Sequence, residues 1–144
     1  MNENDYKIDK FSKDNSDYIL YYKYSDDSHS ESKILEIYVS RLGEKVDNPN
    51  NYFAHFYLIG NEYIQPAKIN ANNLKRLKLT TYIFNFAVQF TGRKLRSSRT
   101  SANCPTHNFG DDYLLPEGIN LWENYVSHKK AINDGCHYIW LGNE

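Results

Sequence analysis

The chain alternates short β-forming runs with polar turns, and its second half adds two amphipathic helical patterns. Residues 17–24 (DYILYYKY) and 34–42 (ILEIYVSRL) are rich in β-formers, and the second run alternates between two faces. The near-continuous apolar run at residues 52–59 (YFAHFYLI) is typical of a central strand covered on both faces. A Gly-Asn turn signal follows, so residues 62–69 are predicted to return as the hairpin partner.

Pro66 interrupts this fourth predicted strand. Proline lacks the N–H that a central strand must donate, and it is therefore confined to edges and bulges. We expect a bulge or a splay near Pro66. A splayed strand would leave a cleft between itself and its next parallel neighbour.

The first helical pattern spans residues 74–90. Asn72 or Asn73 can cap its start, and Gly92 lies just beyond its end, where glycine is common. The positions that follow helical spacing are Leu77, Thr81 through its methyl group, Ile83, Phe84, Ala87 and Val88.

The second helical pattern begins at Pro116 and Glu117, which place a proline in the first turn and an acid at the positive end of the helix dipole. A short strand at residues 94–98 and a long loop at 99–114 precede it, and a last strand is predicted at 136–141 (CHYIWL). The predicted buried stripe of this helix comprises Leu115, Ile119, Trp122 and Val126, flanked by Leu121 and Tyr125.

This order of elements predicts a single domain of the α/β or α+β class, with a mixed, mostly antiparallel sheet flanked by helices. The domain is expected over residues 17–144. The polar, mixed-charge residues 1–16 are expected to form a flexible N-terminal arm.

Composition narrows the possible partners. The 144 residues carry a formal net charge of −1, so no global field draws the protein to nucleic acid or anionic membrane. No apolar run approaches the roughly 20 residues that span a bilayer, and the N-terminus lacks the apolar core of a signal peptide. We therefore expect a cytoplasmic protein without a membrane partner.

Two residue sets offer weaker chemistry. Cys104, His107, Cys136 and His137 formally supply zinc ligands, but neighbours in a strand point to opposite faces, so we expect two ordinary thiols and no metal. A second set is basic and lies near aromatic residues, as in nucleic-acid-binding surfaces, but acids elsewhere cancel its charge and nucleic acid is not an expected partner. It comprises Arg93, Lys94, Arg96 and Arg99.

The 13 tyrosines allow two interpretations. Tyrosine can supply bulk to a small core and leave its hydroxyl in water. It is also enriched at protein-binding faces. The sequence leaves both open.

The start of the first helix is a candidate anion site. A helix that follows a strand presents unpaired N–H groups and a positive dipole end. Lys75, Arg76 and Lys78 add charge there. The alternative is a solvated helix start that binds nothing.

Residues 75–87 (KRLKLTTYIFNFA) resemble the helix-opening motif of the Gcn5-related N-acetyltransferases, Gln/Arg-x-x-Gly-x-Gly/Ala. Lys75 falls at the first position, Lys78 at the first glycine and Thr80 at the Gly/Ala position. Residues 115–131 (LPEGINLWENYVSHKKA) resemble a phage and bacterial subgroup of the same fold. The usual pair of helices between the first two strands is replaced by a short polar segment.

The resemblance implies an acyl-CoA-dependent N-acyltransferase with acetyl-CoA as cofactor and a protein or small-molecule amine as acceptor. The backbone of Leu77, Lys78, Leu79 and Thr80 would hold the cofactor pyrophosphate, with charge from Lys75 and Arg76.

The same resemblance assigns the proton-transfer groups. The family's base lies on the fourth strand, where Glu62 is the first candidate, and His55 on the preceding strand is the second. A plain exposed turn residue and a core histidine are the respective alternatives. The family's tyrosine acid aligns with Trp122, and Tyr125 lies one helical turn on and could substitute.

Two departures from the family pattern support a second reading. Lys78 replaces a glycine whose missing side chain lets the backbone approach the cofactor, and Trp122 cannot donate the proton. The alternative is therefore a catalytically inactive protein of the same fold that binds and modulates a host protein through its tyrosine-rich surface.

Overall fold

A computed structural model of the chain describes residues 3–26, 33–43, 52–70, 79–105 and 113–142. A 3-10 turn at Glu3–Asp5 precedes five strands, namely β1 (Lys7–Lys13), β2 (Ser16–Asp26), β3 (Lys33–Arg41), β4 (Tyr52–Ile59) and β5 (Tyr63–Asn70). The second half comprises α1 (Leu79–Thr91), β6 (Lys94–Leu95), α2 (Pro116–Ser127), β7 (Ala131–Asn133) and β8 (Tyr138–Trp140).

Six strands form one sheet in the order β1-β2-β3-β4-β5-β6. The first five run antiparallel to their neighbours, whereas β6 runs parallel to β5. Strands β7 and β8 form a separate antiparallel pair, which a single bridge between Arg96 and Ile139 joins to the chain after β6. The predicted mixed, mostly antiparallel sheet with helices is confirmed, and the domain is of the α+β class.

The segment expected to be a flexible arm carries a strand. All seven residues of β1 pair with β2, from Lys7 opposite Tyr22 to Lys13 opposite Ser16. Phe11 stacks on the ring of Tyr82 in α1, with centroids 3.9 Å apart. The expectation of a flexible arm is therefore wrong for residues 7–13. These residues have little apolar content of their own, and they form a strand because β2 offers an edge to pair with.

Alternation along β2, β3 and β4 builds one buried face. Cross-strand partners lie on the same face of a sheet, so the register that joins Leu20 to Val39 and Val39 to Tyr52 aligns three buried side chains. Helix α1 contributes to the same core with Leu79, Ile83, Phe84 and Ala87. Burial at this spacing confirms the predicted helix face at Ile83, Phe84 and Ala87, whereas Thr81 and Val88 are half-buried.

An aromatic cluster joins the two helices to β8. The ring of Phe84 stacks on Trp122 of α2 at 5.3 Å and meets Trp140 of β8 edge-on at 5.3 Å. Tyr125 packs edge-on against Trp140 at 4.7 Å. Because such pairs add to the free energy of area burial, this cluster fixes α2 and β8 against α1.

Helix α2 begins at Pro116, as predicted, with Glu117 in its first turn. Trp122 and Tyr125 are its buried residues, so the predicted stripe is confirmed at Trp122. Leu115 was expected in that stripe and is instead 66% exposed. It occupies the N-cap position, outside the helical turns that face the core.

The predicted irregularity at Pro66 is confirmed. The β4–β5 register shifts between His55 and Phe56, so that His55 pairs with Lys68 and Phe56 pairs with Pro66. This shift is a β-bulge, which places one extra residue on β5.

Cys104 and Cys136 form a disulfide, with Cα atoms 5.6 Å apart. The expectation of two ordinary thiols is therefore wrong. Thr100 brings the two segments together, because its N–H donates to the Cys136 carbonyl at 2.9 Å and its hydroxyl donates to the Gly135 carbonyl at 3.0 Å. The disulfide ties the loop after β6 to the turn between β7 and β8.

In the part of the chain that the structure describes, neither helix has the length and apolar character needed to cross a bilayer.

Reduction of the disulfide should destabilise the protein. The bond closes a loop of 32 residues, and constraining such a loop in the unfolded chain is worth about 4 kcal/mol. Urea unfolding with and without dithiothreitol measures this difference. The Cys104→Ser variant is the control, since dithiothreitol should not change its midpoint. Equal midpoints for the oxidised and reduced wild-type protein would contradict the prediction.

Candidate functional site

A cleft opens where β5 and the chain after β6 separate. Their parallel pairing covers only Tyr63 with Lys94 and Ile64 with Leu95, and the Arg96 N–H makes a last bond to the Ile64 carbonyl at 3.0 Å. Ser97 then donates its N–H to the Tyr138 carbonyl of β8 at 2.8 Å. The chain thus exchanges one hydrogen-bonding partner for another, and β5 continues without it.

The cleft has a volume of about 750 Å³ and lies between the second half of β5 and the start of α2. A cleft beside Pro66 was predicted, and Pro66 lines this one. Its opening follows from the end of the β5–β6 pairing, however, because the bulge lies between β4 and β5. Its lining residues are Pro66, Ala67, Ile69, Ser98, Tyr113, Leu114, Leu115, Glu117, Gly118, Leu121 and Trp122.

Hydrogen bonding holds the wall of the cleft that precedes α2. The Leu114 N–H donates to the Arg99 carbonyl at 2.8 Å, which returns the end of the long loop to its beginning. The buried Arg99 guanidinium donates to the carbonyls of Ala102 and Cys104 at 3.2 and 3.0 Å. The disulfide anchors the same loop, so the wall is fixed from two sides.

Glu117 supplies the one carboxylate among the described residues that line the cleft. It lies in the first turn of α2, where the helix dipole favours negative charge. An otherwise largely apolar cleft with one carboxylate at its edge can hold an apolar group and accept a proton or a hydrogen bond beside it.

A second pocket of about 270 Å³ lies between the start of α1 and the second half of α2. Thr80 and Thr81 line it from α1, and His128 and Lys130 lie in its wall beyond α2. The hydroxyls of Thr80 and Thr81 supply hydrogen-bond donors and Lys130 supplies a positive charge, and these groups together favour an anion. The remaining lining residues are Leu121, Asn124 and Tyr125.

Two phenols fix the first turn of α1. The Tyr52 hydroxyl lies 3.1 Å from the Thr80 hydroxyl, and the Tyr125 hydroxyl lies 3.0 Å from that of Thr81. Burial raises the pKa of both tyrosines above the ordinary value, and the bonds to threonine only partly oppose it. Both phenols therefore keep their protons at neutral pH.

Leu121 lines both the cleft and the second pocket. The two depressions consequently lie on either side of one side chain of α2. Both have more apolar than polar surface, but the second also carries two threonine hydroxyls and a lysine, so a single elongated ligand with one anionic end could occupy both.

The predicted cofactor residues fall into two groups. Lys75, Arg76, Leu77 and Lys78 lie outside the described residues. Leu79 begins α1 and is buried in the core, whereas Thr80 lines the second pocket.

Tyr125, the predicted acid, lies in the same pocket as Thr80, so the structure brings these two predicted residues together. Trp122, which aligned with the family tyrosine, lines the cleft instead.

Glu62, the predicted base, lies away from the cleft. It occupies the turn before β5, is 61% exposed, and lies 3.4 Å from the Lys94 ammonium group. Four residues separate it from Pro66, which corresponds to about 13 Å along a strand. The structure thus places it at the paired end of β5 and β6, not at the open end.

His55, the second candidate, lies on the sheet face opposite the buried one. Its Nε2 atom is 3.7 Å from Glu36, and its ring lies beside those of Tyr38 and Phe53. Neither depression described above includes it in its lining.

The basic residues after α1 do not form one exposed surface. Arg96 is buried, with Nε 3.2 Å from Gln65 and the guanidinium over the ring of Tyr63. Arg99 is also buried, Arg93 donates to the Gly60 carbonyl at 2.6 Å, and Lys94 pairs with Glu62.

The four residues that formally supplied zinc ligands do not form a metal site in the described part of the chain. Its two cysteines are disulfide-bonded and His107 lies outside the described residues, among which no group of three potential ligands could hold a metal ion.

Sequence reasoning missed Glu117, His128 and Lys130 as site residues. Glu117 was noted only as a helix-start acid, and the other two follow α2 without a motif. Their common signal is position, because Glu117 lies in the first turn of α2 and the other two lie just beyond its end, and this helix lines both depressions. The sequence cannot reveal this position, because α2 is placed by the change of hydrogen-bonding partner from β5 to β8 at Ser97.

No protein-family model, no curated protein and no solved structure matches this chain.

Tyr52 should make the protein lose stability at alkaline pH. Its folded-state pKa is raised by burial, so its contribution is complete below about pH 10 and is lost as pH rises further. Tyr52→Phe should reduce the alkaline decline in unfolding free energy by about 1.4 kcal/mol per pH unit. At neutral pH the variant should lose about 1 kcal/mol with the bond to Thr80.

Urea unfolding at a series of pH values measures both effects. Tyr24→Phe removes a hydroxyl from a half-exposed ring and is the control for the substitution itself. Parallel alkaline declines for Tyr52→Phe and wild type would show that the folded state does not protect this proton.

Proposed function

We propose that this protein is an acyl-CoA-dependent N-acyltransferase that acts on a protein or small-molecule amine, with acetyl-CoA or a related thioester as donor. The observation that carries the proposal is the cleft between β5 and the chain after β6, next to an anion-favouring pocket at the start of α1. A thioester of coenzyme A combines an anionic diphosphate with an uncharged reactive arm. The second pocket suits the diphosphate, and the largely apolar cleft suits the uncharged arm.

The diphosphate would lie at the start of α1. The resemblance to the Gcn5-related N-acetyltransferases assigns this role to backbone groups up to Thr80, and Thr80 lines the second pocket. Lys130 would add positive charge and hydrogen-bond donors from the opposite wall, where His128 also lies.

The acyl arm would enter the cleft past Leu121. There the edge of β5 beyond Ile64 lacks β6 as a partner within the described residues, so backbone groups on that edge can face the reacting carbonyl. An amine attacks that carbonyl and forms a tetrahedral oxyanion, which strand N–H groups stabilise. The C–S bond then breaks and the thiolate leaves with a proton.

Proton transfer would use groups near this path. Glu117 lines the cleft and can take the proton from the amine, whereas Glu62 lies at the other end of β5. Tyr125 retains its proton at neutral pH because burial raises its pKa, and it is the group that the resemblance offers as the acid for the departing thiolate.

A second candidate function is binding of a host protein without acyl transfer. The location of Glu62 outside the cleft favours it, because the carboxylate that the resemblance assigns to catalysis is not at the reaction site. The presence of Trp122 where the family has its tyrosine favours it as well.

The proposal includes a cytoplasmic location, because the acyl-CoA donor is an intracellular metabolite. The disulfide opposes that location, since such bonds persist in oxidising compartments and are rare in the cytosol.

Acetyl-CoA should bind and stabilise the protein. At 100 times its dissociation constant the ligand should add about 2.7 kcal/mol to the unfolding free energy. Lys130→Ala should weaken binding about tenfold, because it removes one charged contact to the diphosphate. Isothermal titration calorimetry measures both, and Lys7→Ala, at an exposed lysine of β1, is the charge-matched control. Absence of binding by the wild type would refute the transferase proposal and leave the second candidate.

Glu117→Gln should slow transfer to a primary amine by a factor of at least about 100, the lower range for loss of a general base. Its dissociation constant for acetyl-CoA should stay near that of the wild type, because the carboxylate acts on the acceptor. Release of free thiol measures the rate. Glu62→Gln is the matched comparison, and a larger loss in that variant than in Glu117→Gln would return the base to the position that the resemblance assigns.

A further inference from the structure

We infer that the cleft binds an acyl chain longer than acetyl, so that the preferred donor is a medium-chain acyl thioester. This inference rests on the proposed function and specifies its donor. It follows from the size of the cleft, from the character of its walls and from the apolar side chains at its mouth.

Size is the first argument. The cleft measures about 750 Å³, within the range of about 300–1,000 Å³ that holds a whole drug-sized molecule. The cofactor arm would fill part of this space, and a two-carbon acyl group at its end would add little to the part that is filled. Water is a poor occupant of an apolar cleft because it has few polar partners there.

The walls are the second argument. Five aliphatic side chains and one indole form most of the lining, with Trp122 only 3% exposed at its base. A hydrocarbon chain gains free energy at such a surface through every methylene that leaves water. The five larger aliphatic residues are Pro66, Ile69, Leu114, Leu115 and Leu121, and Ala67 adds a methyl group.

The mouth is the third argument. Tyr113 is 50% exposed and Leu115 is 66% exposed, and both line the cleft. These two large side chains form an apolar rim next to an apolar interior. A chain that extends along the cleft would cover them, whereas an acetyl group at the β5 edge would leave them in water.

The second pocket determines the orientation of the ligand. Lys130 and the hydroxyls of Thr80 and Thr81 favour the anionic end, and Leu121 lines both that pocket and the cleft. A ligand with an anionic head and an apolar tail fits both depressions in one direction only. Gly118 packs closely against the wall, because a Cβ atom there would lie 3.0 Å from Leu114 Cδ2.

The test is a chain-length series on the full, disulfide-bonded protein. Dissociation constants are measured for coenzyme A and for its acetyl, butyryl, hexanoyl and octanoyl thioesters, below the concentrations at which they form micelles. Each added methylene that enters the cleft should strengthen binding about fourfold, until the cleft is full. Constant affinity from acetyl to octanoyl, with coenzyme A still bound, would overturn this inference and leave the proposed function intact.

Failure of the proposed function has a different signature. In that case neither coenzyme A nor any of its thioesters binds, and the inference fails with it.

Leu115→Ser locates the chain in the cleft. Leu115 is the exposed N-cap residue of α2, and serine is a favoured N-cap, so the variant should fold at least as well as the wild type. It should weaken octanoyl-CoA binding several-fold and leave coenzyme A binding unchanged. Leu42→Ser removes a leucine of similar exposure that does not line the cleft and is the matched control. An unchanged chain-length dependence in Leu115→Ser would overturn the placement.

Discussion

The short parallel pairing of β5 with β6 determines the rest of the molecule. Two residue pairs hold the strands together, and Ser97 then bonds to Tyr138 of β8. A longer ladder would have closed the sheet and left no cleft. The exchange places the β7–β8 pair beside the sheet, gives α2 its position against Phe84, and leaves the second half of β5 open on one side. The early end of the β5–β6 pairing therefore accounts both for the position of α2 and for the cleft.

The aromatic cluster makes this arrangement rigid. Its rings come from α1, α2 and β8, which are not joined to one another by strand pairing. Contacts among Phe84, Trp122, Tyr125 and Trp140 hold these elements together instead. Trp122 belongs both to this cluster and to the cleft. The base of the cleft is thus part of the hydrophobic core, and its shape is as firmly determined as the packing around it.

The sequence predicted those parts that depend on neighbours along the chain. Strands β2 to β5, the end of α1 at Gly92, the start of α2 at Pro116 and the bulge at Pro66 all have local signals. Strand β1 and the disulfide depend on partners that the chain brings near only after folding. Glu62 shows the limit most clearly, because the resemblance fixed its place along β5 but not which end of the strand is open.

The disulfide has a topological consequence for the cleft. The ring that it closes runs from Cys104 through the whole of α2 and β7 to Cys136, so it contains Glu117, Leu121, Trp122 and Tyr125. A peptide bond cut anywhere within that ring leaves both fragments covalently joined while the disulfide is intact. Protease cleavage between Cys104 and Cys136 would therefore nick the chain and leave the two fragments joined, with both walls of the cleft in the same covalent molecule.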